Sequence, residues 1–484
     1  MATEQFVALV LAAGKGTRMK SDRPKVVHPV AGRPMVAWPV QAALEAGADR
    51  CVVVVGHGAG EVTSALEERF GSRVDFVEQP EQRGTGHAVQ CALPALEGFD
   101  GRVLILYGDT PLLRAETLRT LVDAAAGGEA PLAMLTAELE DPSGYGRILR
   151  DSAGRVVGVR EHRDATERER ALREVNPGLY AVDAPFLRES IAALSTDNAQ
   201  GELYLTDVVA AAAGRGDVTA LLRDMDEMRG VNDRYELAVA DRLLRLRINR
   251  RLAEEGVTVR DPDGTWIDGD CAVEPDAVLE AGVHLRGRCR VASGAHIDVG
   301  CVLTDVEVGP GAYLKPYSVA DRSRVGEAAQ VGPFAHLRPD TELGPSSRVG
   351  NFVETKKTRM GRGSKANHLA YVGDGDIGED VNIGAGTIFC NYDGFQKHTT
   401  VLEDGVFIGS DSQLVAPLRV GKGAYVASGT TVTGDVPADA LAISRTRQQN
   451  KEGFAARLRK RLQSAKQAAK KAGATGATII AASG

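Results

Sequence analysis

The chain has 484 residues, a net charge of −7, 25% charged residues and 43% hydrophobic residues. This length predicts roughly two to four domains, and the composition is typical of a globular protein. The net charge lacks the signature of a nucleic-acid-binding protein. No apolar run reaches the ~18 residues of a membrane-spanning helix, and no basic segment precedes the first apolar stretch. We therefore expect no nucleic-acid partner, no membrane insertion and no signal peptide.

Residues 1–232 alternate short apolar runs with amphipathic stretches. The apolar runs end in Gly, Asp or Pro, as buried parallel strands do. Alternating strands and helices predict a doubly wound, Rossmann-like α/β domain. The predicted strands are VALVLAAG, CVVVVGHG, VDFVEQP, VLILYGD and APLAMLTAEL, and the predicted helices include MVAWPVQAALEAGA and ETLRTLVDAAAG.

Residues 233–256 predict a single connecting helix, because the stretch has no Pro and no internal Gly. One helical face carries Leu237, Leu244, Ile248 and Leu252. Arginines crowd the remaining surface, and we assign them to a solvated face. They are Arg242, Arg245, Arg247, Arg250 and Arg251.

Within the domain predicted at 257–447, from about residue 263, an aliphatic residue recurs at every sixth position, with a one-residue slip before Val308 and new starts at Val325, Ile377 and Leu402. A period of six fits neither a helix face nor an alternating strand, and it predicts a parallel β-helix in which each hexad forms one flat side. The hand of the coil does not follow from the sequence. The repeating residues are Ile267, Val273, Leu279, Leu285, Val291, Ile297, Leu303, Val308, Leu314, Val325, Val331, Leu337, Leu343, Val349, Ile377, Ile383, Leu402, Ile408, Leu414, Val420, Val426 and Val432.

Two segments interrupt this rhythm, and we expect function at such departures from a strong local rule. The first is the charged segment 354–376, and the second is FCNYDGFQKHT at 389–399, which we predict to be a loop pushed out between coils. The basic, Ala/Gly-rich tail at 448–484 predicts a marginal helix followed by disorder.

Six cysteines lie along the chain without a CxxC pair or a zinc-binding spacing, so we expect reduced thiols in a cytoplasmic protein. They are Cys51, Cys91, Cys271, Cys289, Cys301 and Cys390. Cys271 and Cys289 are eighteen residues apart, which is one full coil. We predict that they are stacked but not bonded.

The first predicted strand runs into LAAGKGTRM, a glycine-rich turn that can bring backbone N–H groups close to phosphate. Arg18 and Lys25 supply positive charge for a polyphosphate. Asp109 ends the strand VLILYGD at the sheet edge where α/β domains bind ligands. The alternatives are a packing role for Gly14 and Gly16 and a helix-cap role for Asp109.

The string L-A-A-G-x-G-T-R-x(6)-P-K resembles the signature of the sugar-nucleotide pyrophosphorylases. The resemblance implies that a sugar-1-phosphate oxygen attacks the α-phosphorus of UTP and releases pyrophosphate. It further implies roles for residues at matching positions. Nucleotide and uracil contacts fall on Leu11, Ala12, Ala13, Gly14, Gln79, Gly84 and Thr85, sugar contacts on Gly146, Glu161 and Asn176, and Mg²⁺ ligands on Asp109 and Asn232.

The β-helix carries its own chemistry-bearing residues. Arg338, Lys356, His368 and Tyr371 lie close together in the repeat map, and the loop predicted at 389–399 holds Asn391 and Tyr392. Two cations beside a histidine favour acyl transfer to a phosphorylated substrate. The alternative is a uridylyltransferase whose β-helix is only a structural oligomerisation module.

The motifs GPFAHLRPD, VGNFVETKK, GSKANHLAYVGD, VNIGAGTIFCNYDG, VFIGSDSQLVAP and ALAISR favour the first interpretation. Together with the N-terminal motifs, over roughly residues 5–453, they resemble the bacterial bifunctional UDP-N-acetylglucosamine pyrophosphorylases / glucosamine-1-phosphate N-acetyltransferases. The related hexapeptide-repeat acyltransferases imply a left-handed coil.

This resemblance implies that His368 is the general base when the glucosamine-1-phosphate amine attacks acetyl-CoA. It places the sugar phosphate at Arg338 and Lys356. The other implied contacts are Tyr371 and Asn382 for the sugar, Asn391 and Tyr392 between the sugar and acetyl-CoA, and Ala385, Ser410, Ser428 and Arg445 for acetyl-CoA. Ser428 departs from the alanine expected there. The family further implies a homotrimer, Mg²⁺ as cofactor, N-acetylglucosamine-1-phosphate as intermediate, and a product that feeds peptidoglycan and lipopolysaccharide-type precursors.

Overall fold

The computed structural model describes residues 5–471, and its N-terminal domain is built on a ten-stranded mixed sheet. The five strands that the apolar runs predict are all present, and four of them form one continuous parallel block. The strand order is Val74–Glu78, Cys51–Val55, Phe6–Leu11, Arg102–Tyr107, Tyr180–Asp183, Leu132–Glu138, Glu174–Asn176, Gly146–Arg150 and Val156–Arg160, with Thr219–Leu222 paired to Leu132–Glu138.

Helices cover both faces of this sheet, which confirms the doubly wound arrangement. In the first strand, Phe6, Ala8 and Val10 belong to one hydrophobic core, while Val7 and Leu9 belong to the other. The α-helices are Ala37–Glu45, Ala59–Phe70, Thr85–Ala92, Ala115–Gly127, Glu167–Arg170, Ala184–Ala192, Asp207–Ala213 and Met225–Met228. Short 3-10 turns lie at Thr17–Met19, Lys25–Val27, Gly71–Arg73 and Leu93–Leu96, and Pro29–Val30 pairs with Arg33–Pro34 in a hairpin.

The connecting helix spans Arg234–Glu254, and Asp233 caps it by accepting hydrogen bonds from the N–H groups of Tyr235 and Glu236. Its apolar face packs into the core of the first coils, with Leu244, Ile248 and Leu252 all buried.

The prediction of a fully solvated arginine face on this helix is wrong for two residues. Arg245 forms ion pairs with Asp241 (2.7 Å) and Asp268 (3.0 Å), and Arg247 donates to the carbonyl of Leu112 at 2.8 Å. Both arginines lie where the N-terminal domain and the first coil close over the helix, which local periodicity does not report.

Three parallel sheets form the C-terminal domain, a left-handed parallel β-helix. Face 1 comprises Thr258–Val259, Val278–Leu279, His296–Ile297, Tyr313–Leu314, Gln330–Val331, Arg348–Asn351, Lys365–His368, Asn382–Ile383, Phe407–Ile408, Tyr425–Val426 and Leu441–Ala442. Face 2 comprises Trp266–Ile267, His284–Arg286, Val302–Thr304, Val319–Asp321, His336–Leu337, Glu354–Lys356, Tyr371–Gly373, Ile388–Cys390, Gln413–Val415 and Thr431–Val432. Face 3 comprises Ala272–Val273, Arg290–Val291, Glu307–Val308, Ser323–Val325, Thr341–Leu343, Arg359–Met360, Gly375–Ile377, Thr400–Leu402 and Leu418–Val420.

Every aliphatic residue of the predicted hexad series is buried inside this coil, so the period gave the inward direction correctly. The segment 354–376 does not interrupt the coil, contrary to the sequence interpretation. Its inward positions are Thr355, Met360, Ala366 and Val372, all buried. The inward positions here are partly occupied by a threonine, a methionine and an alanine, so the series of Val, Ile and Leu is interrupted in the sequence although the coil continues.

The second departure is a loop, as predicted. The strand Ile388–Cys390 ends face 2 of its coil, and the next strand begins at Thr400. The loop between them is pinned by a bridge between Tyr392 and Lys397, and Phe395 at its tip is 93% exposed.

A helix covers Phe454–Lys471, in keeping with the helix predicted at the start of the tail, and the disorder predicted after it falls on the residues that follow. Residues 472–484 lie outside the described residues. Within residues 5–471, no helix combines the length and apolarity needed to cross a bilayer.

Two candidate functional sites

A cavity of about 330 Å³ opens at the carboxyl edge of the N-terminal sheet. It brings together most of the residues predicted to contact the nucleotide. The predicted residues in its wall are Leu11, Ala12, Ala13, Gly14, Lys25, Gln79, Gly84, Thr85 and Asp109. The parallel strands all end at this edge, which is why motifs distant in sequence meet here.

Two glycines shape the turn after the first strand in different ways. A Cβ at Gly14 would meet no atom within 4 Å, so its backbone is open to a ligand. Gly16 has a φ of +58°, and a Cβ there would lie 2.5 Å from the Lys25 Cβ. Gly16 therefore allows the close approach of Lys25, and the packing alternative holds for this glycine.

Two cationic side chains face two oxygen donors at the mouth of the cavity. Lys25 forms an ion pair with Asp109, and Arg18 donates to the Asn232 amide oxygen at 2.8 Å. The Val231 N–H donates to the Asp109 carbonyl at 2.9 Å. This hydrogen bond holds the segment that carries Asn232 against the segment that carries Asp109. Asp109 thus pairs with a cation and caps none of the described helices.

The same donors fit a divalent metal. Asp109 supplies a carboxylate and Asn232 an amide oxygen, the hard ligands that a hard cation prefers. In residues 5–471 no three His, Cys, Asp or Glu side chains cluster as a metal site, so a metal held here would take this carboxylate and amide together with oxygens of a bound ligand.

The predicted uracil-reading segment closes one side of the cavity. Gln79 is buried and donates to the Gly84 carbonyl at 3.2 Å. Gly84 has a φ of +104°, and a Cβ there would lie 2.6 Å from the Leu203 carbonyl oxygen. Only glycine lets this turn pack so closely on the segment that carries Glu202.

The predicted sugar-contact residues form a second group beside the cavity. Gly146 and Asn176 lie directly opposite each other on paired strands, and the Gly146 Cβ position is 3.6 Å from Glu161 Oε2. Burial raises the pKa of Glu161, although Thr206 donates a hydrogen bond to it at 3.0 Å. Glu161 therefore presents a partly desolvated carboxyl, suited to accepting sugar hydroxyl donors.

Sequence reasoning missed five residues in the cavity wall, of which three are polar: Gln82, Tyr107 and Glu202. Gln82 donates to the Ala13 carbonyl at 2.6 Å. Tyr107 lies between the nucleotide and sugar groups: burial raises the pKa of its hydroxyl, and the carboxylates of Glu161 and Asp109 add to the shift. Tyr107 ends the strand VLILYGD, and that position was the available signal.

The second site lies at the corner between face 1 and face 2 of the β-helix. His368 ends a face 1 strand, and its Nδ1 lies 2.7 Å from the Oδ1 of Asn351 in the preceding coil. Sequence reasoning did not single out Asn351, although it stands within the motif VGNFVETKK, seventeen residues before His368.

Cations collect on the adjacent face 2 strands. Arg338 donates to Glu354 at 2.7 Å, and the neighbouring Lys397 lowers the pKa of Lys356. Two ammonium groups this close favour an anion between them, which fits a sugar phosphate. Lys397 comes from the protruding loop and was not predicted.

Tyr371 and Asn391 converge in the next coil of the same face. A Cβ at Gly373 would lie 2.5 Å from the Tyr371 hydroxyl and 2.7 Å from Asn391 Nδ2. Asn391 is buried and donates to Asp374. Tyr371 and Asn391 are therefore next to the cations, because Tyr371 pairs with Glu354 and Gly373 pairs with Lys356.

The predicted acetyl-CoA residues form a column along the same corner. The register that pairs Lys365 with Asn382 and Ala366 with Ile383 places His368 beside Ala385. The Asp411 N–H donates to the Ala385 carbonyl at 2.7 Å, the Gly429 N–H donates to the Ser410 carbonyl at 2.8 Å, and Arg445 donates to the Ser428 carbonyl. The column Ala385, Ser410, Ser428, Arg445 thus begins at the proposed base.

Two predicted residues lie at the edges of this site. Asn382 is on face 1, one coil after Lys365. Tyr392 points outward from the loop, where it is 60% exposed and donates to the Gly394 carbonyl at 2.6 Å. Its described partners, Gly394 and Lys397, both belong to the loop.

A groove of about 860 Å³ on the β-helix contains no predicted site residue. It follows the corner between faces 2 and 3, where charge alternates from coil to coil. Arg324 pairs with Glu307 at 3.0 Å, and Arg359 pairs with Asp376 at 3.3 Å. These exposed pairs satisfy one another, so the groove is a structural feature of the stack.

Comparisons with known proteins find relatives along nearly the whole chain. The sequence profile of the MobA-like NTP transferase domain matches residues 8–175. The chain is 58% identical to the "Bifunctional protein GlmU" of Sorangium cellulosum (strain So ce56), over 97% of this chain and 100% of that protein. It is 51% identical to the protein of the same name from Pelobacter propionicus, over 95% and 100%, and 49% identical to that from Geobacter sulfurreducens, over 95% and 99%.

Proposed function

This chain belongs to the family of the bifunctional GlmU proteins, and from that premise we propose which of its residues perform each reaction. It is a bifunctional enzyme of UDP-N-acetylglucosamine synthesis, with a uridylyltransferase and an N-acetyltransferase activity. The observation that favours a working acetyl site over a structural module is the pair His368–Asn351 at the head of the Ala385–Arg445 column.

In acetyl transfer, the glucosamine-1-phosphate amine attacks the thioester carbonyl carbon, the carbon–sulfur bond breaks, and coenzyme A leaves. We assign His368 as the base that takes the amine proton. The Asn351 amide oxygen accepts from His368 Nδ1–H, and this leaves Nε2 as the free acceptor. Arg338 and Lys356 hold the phosphate, and Tyr371 and Asn391 contact the sugar.

In uridylyl transfer, a phosphate oxygen of N-acetylglucosamine-1-phosphate attacks the α-phosphorus of UTP, and the bond to pyrophosphate breaks. Lys25 and Arg18 neutralise the polyphosphate and hold it in line with the attacking oxygen. Gln79 and Gly84 contact the base, while Gly146, Glu161 and Asn176 contact the sugar. Tyr107 lies between these nucleotide contacts and sugar contacts.

The family uses a divalent metal, which we propose to be Mg²⁺ held by Asp109 and Asn232. When bound, the metal supplies charge neutralisation at the phosphates. The ion pair of Lys25 with Asp109 and the hydrogen bond of Arg18 to Asn232 hold both oxygen donors toward the phosphate site.

We further propose a homotrimer in the cytoplasm. The outward Tyr392 and the highly exposed Phe395 leave the loop at 391–399 available to a neighbouring copy, which would complete the acetyl site. The six cysteines are free in the structure, in keeping with a reducing compartment.

Two variants test the division of labour. His368→Ala should lower acetyl transfer roughly 10²–10⁴-fold and leave uridylyl transfer near normal. Asp109→Ala should do the reverse, and N-acetylglucosamine-1-phosphate should accumulate. Coenzyme A release and pyrophosphate release are measured on both variants, with oligomer size as the control. Equal loss of both activities in an assembled protein would refute the assignment, and unchanged coenzyme A release in His368→Ala would refute the base.

A further inference from the structure

The helix Phe454–Lys471 stands outside both domains. None of residues 454–470 is buried, and Phe454 and Leu462 are 49% and 43% exposed. The stretch 454–471 contains seven Lys or Arg residues and no Asp or Glu, although the whole chain has a net charge of −7. This helix therefore has a strong positive charge and no interior position.

Helical geometry separates its side chains into two faces. Ala456 and Ala468 lie apart from the other six of its eight apolar residues, and at 100° per residue those six fall within an arc of roughly 100°. The six are Phe454, Ala455, Leu458, Leu462, Ala465 and Ala469. Arg459, Lys466 and Lys470 lie along one flank of this stripe, and Arg457 and Arg461 lie along the other.

We propose that this helix docks on the surface of an anionic phospholipid bilayer. An amphipathic helix with a narrow apolar stripe and flanking Lys or Arg lies in the plane of the interface. The stripe enters the boundary of the acyl chains while the long basic side chains reach the headgroups. The absence of any acidic residue over 454–471 matches a negatively charged surface.

Two other occupants fit the helix less well. A helix from a second copy would meet a stripe with only two leucines, and Arg459 and Lys466 beside it would face like charges. A nucleic acid would use the cations but leave Phe454, Leu458 and Leu462 in water. Only an anionic lipid surface would contact both the apolar stripe and the basic side chains that flank it.

The position of the helix in the chain suits this role. It follows the last face 1 strand, Leu441–Ala442, whereas the connecting helix and the N-terminal domain lie at the first coil. Eleven strands of face 1 stacked at ~4.8 Å separate these two ends by roughly 48 Å. Docking by the tail would leave the uridylyl site facing the solution.

The full-length protein is tested by flotation with vesicles of phosphatidylcholine alone and of phosphatidylcholine with phosphatidylglycerol at three to one. We expect binding only to the anionic vesicles, weakened by added salt. The triple variant Arg459→Gln/Lys466→Gln/Lys470→Gln should lose roughly a hundredfold in binding. Leu458→Gln/Leu462→Gln should lose roughly tenfold with its charge intact.

The matched control is Ser464→Ala/Gln467→Ala, which changes uncharged residues on the polar side and should bind as the original does. Both enzyme activities should stay normal in all three variants, which shows that they fold. Equal binding by the triple variant, or binding that ignores the two leucines, would overturn the proposal. So would capture by duplex DNA without vesicle binding, or an oligomer change that accompanies the leucine substitutions.

Discussion

The Nδ1 atom of His368 lies 2.7 Å from the Oδ1 atom of Asn351, and the two residues are register partners on adjacent coils of face 1. The hydrogen bond fixes both the ring orientation and the tautomer of the proposed base. If Asn351 acts only by positioning His368, replacing Asn351 should change the pH–rate profile of acetyl transfer.

We therefore predict that Asn351→Ala lowers kcat for acetyl transfer roughly fivefold to tenfold, the value of one lost hydrogen bond. Asn351→Asp should restore part of the rate, because a carboxylate still accepts from Nδ1. The negative charge also stabilises the imidazolium that forms when the base takes a proton, so the pH–rate profile of the variant should differ in its acidic limb from the original. A profile that stays in place would contradict this role.

Metal removal should separate the two reactions. A chelator should abolish pyrophosphate release and spare coenzyme A release, because only the N-terminal site has the Asp109–Asn232 donor pair. Asp109→Asn should need a higher Mg²⁺ concentration for half-maximal uridylyl transfer, since it removes the one anionic ligand. An unchanged metal requirement in this variant would show that Asp109 is not a ligand.

Asp270 joins the N-terminal domain to the first coil. Arg69 donates to it through two bonds of 2.8 and 2.6 Å, and Arg33 lies 2.8 Å away. Asp270→Ala leaves two largely buried guanidinium groups without this carboxylate, and should cost about 1–3 kcal/mol in unfolding free energy. The exposed pair Arg242–Asp263 supplies the control, because Asp263→Ala should cost at most about 0.5 kcal/mol.

This destabilisation should depend on pH. Burial alone raises the pKa of Asp270, but the hydrogen bonds from Arg69 and the charge of Arg33 bring it below the ordinary value. The stability that Asp270 contributes is fully present above its unfolded pKa of about 3.9, and is lost as the pH falls through the lower folded pKa. Thermal unfolding should show a large gap between the original and Asp270→Ala at pH 6 and a narrower one at pH 3.

All six cysteines should titrate as free thiols in the unfolded, non-reduced protein. Cys271 and Cys289 do lie on adjacent coils, because the Ala272 N–H donates to the Cys289 carbonyl at 2.9 Å, and both remain unbonded. Their side chains bond to backbone carbonyls instead, Cys271 to Leu285 at 3.5 Å and Cys289 to Arg286 at 3.2 Å. A count of four free thiols would show that they pair in solution.

Truncation after Lys460 should leave both activities within about twofold of the original and preserve the oligomer. The helix Phe454–Lys471 buries no described side chain against either domain, so its loss removes no packing. Rates and sedimentation are compared with the full chain. A truncated protein that became monomeric, or lost acetyl transfer alone, would show that the tail packs on the β-helix.

The sequence by itself determined the two folds and which motifs come together at each candidate site. The inward direction of Ile267, Leu285 and Leu303 follows from their sixfold spacing, because a repeated backbone conformation sets side-chain direction locally. The motif residues follow the same rule: strands of a parallel sheet end at one edge, so LAAGKG and VLILYGD had to meet. The five short strands outside this pattern, such as Tyr180–Asp183, have no comparable local signal.

Only the tertiary structure decided which side chains meet. Lys25 and Asp109 are 84 residues apart, and Arg245 proved to be an internal contact rather than a solvated one. Asn351 is identified as the partner of His368 only in the structure, where the two residues lie on adjacent coils. Thr355 is likewise seen to point inward only in the structure, where it is buried. Local spacing fixes the direction of a side chain relative to its own strand, whereas pairing of charges depends on where distant segments return in space.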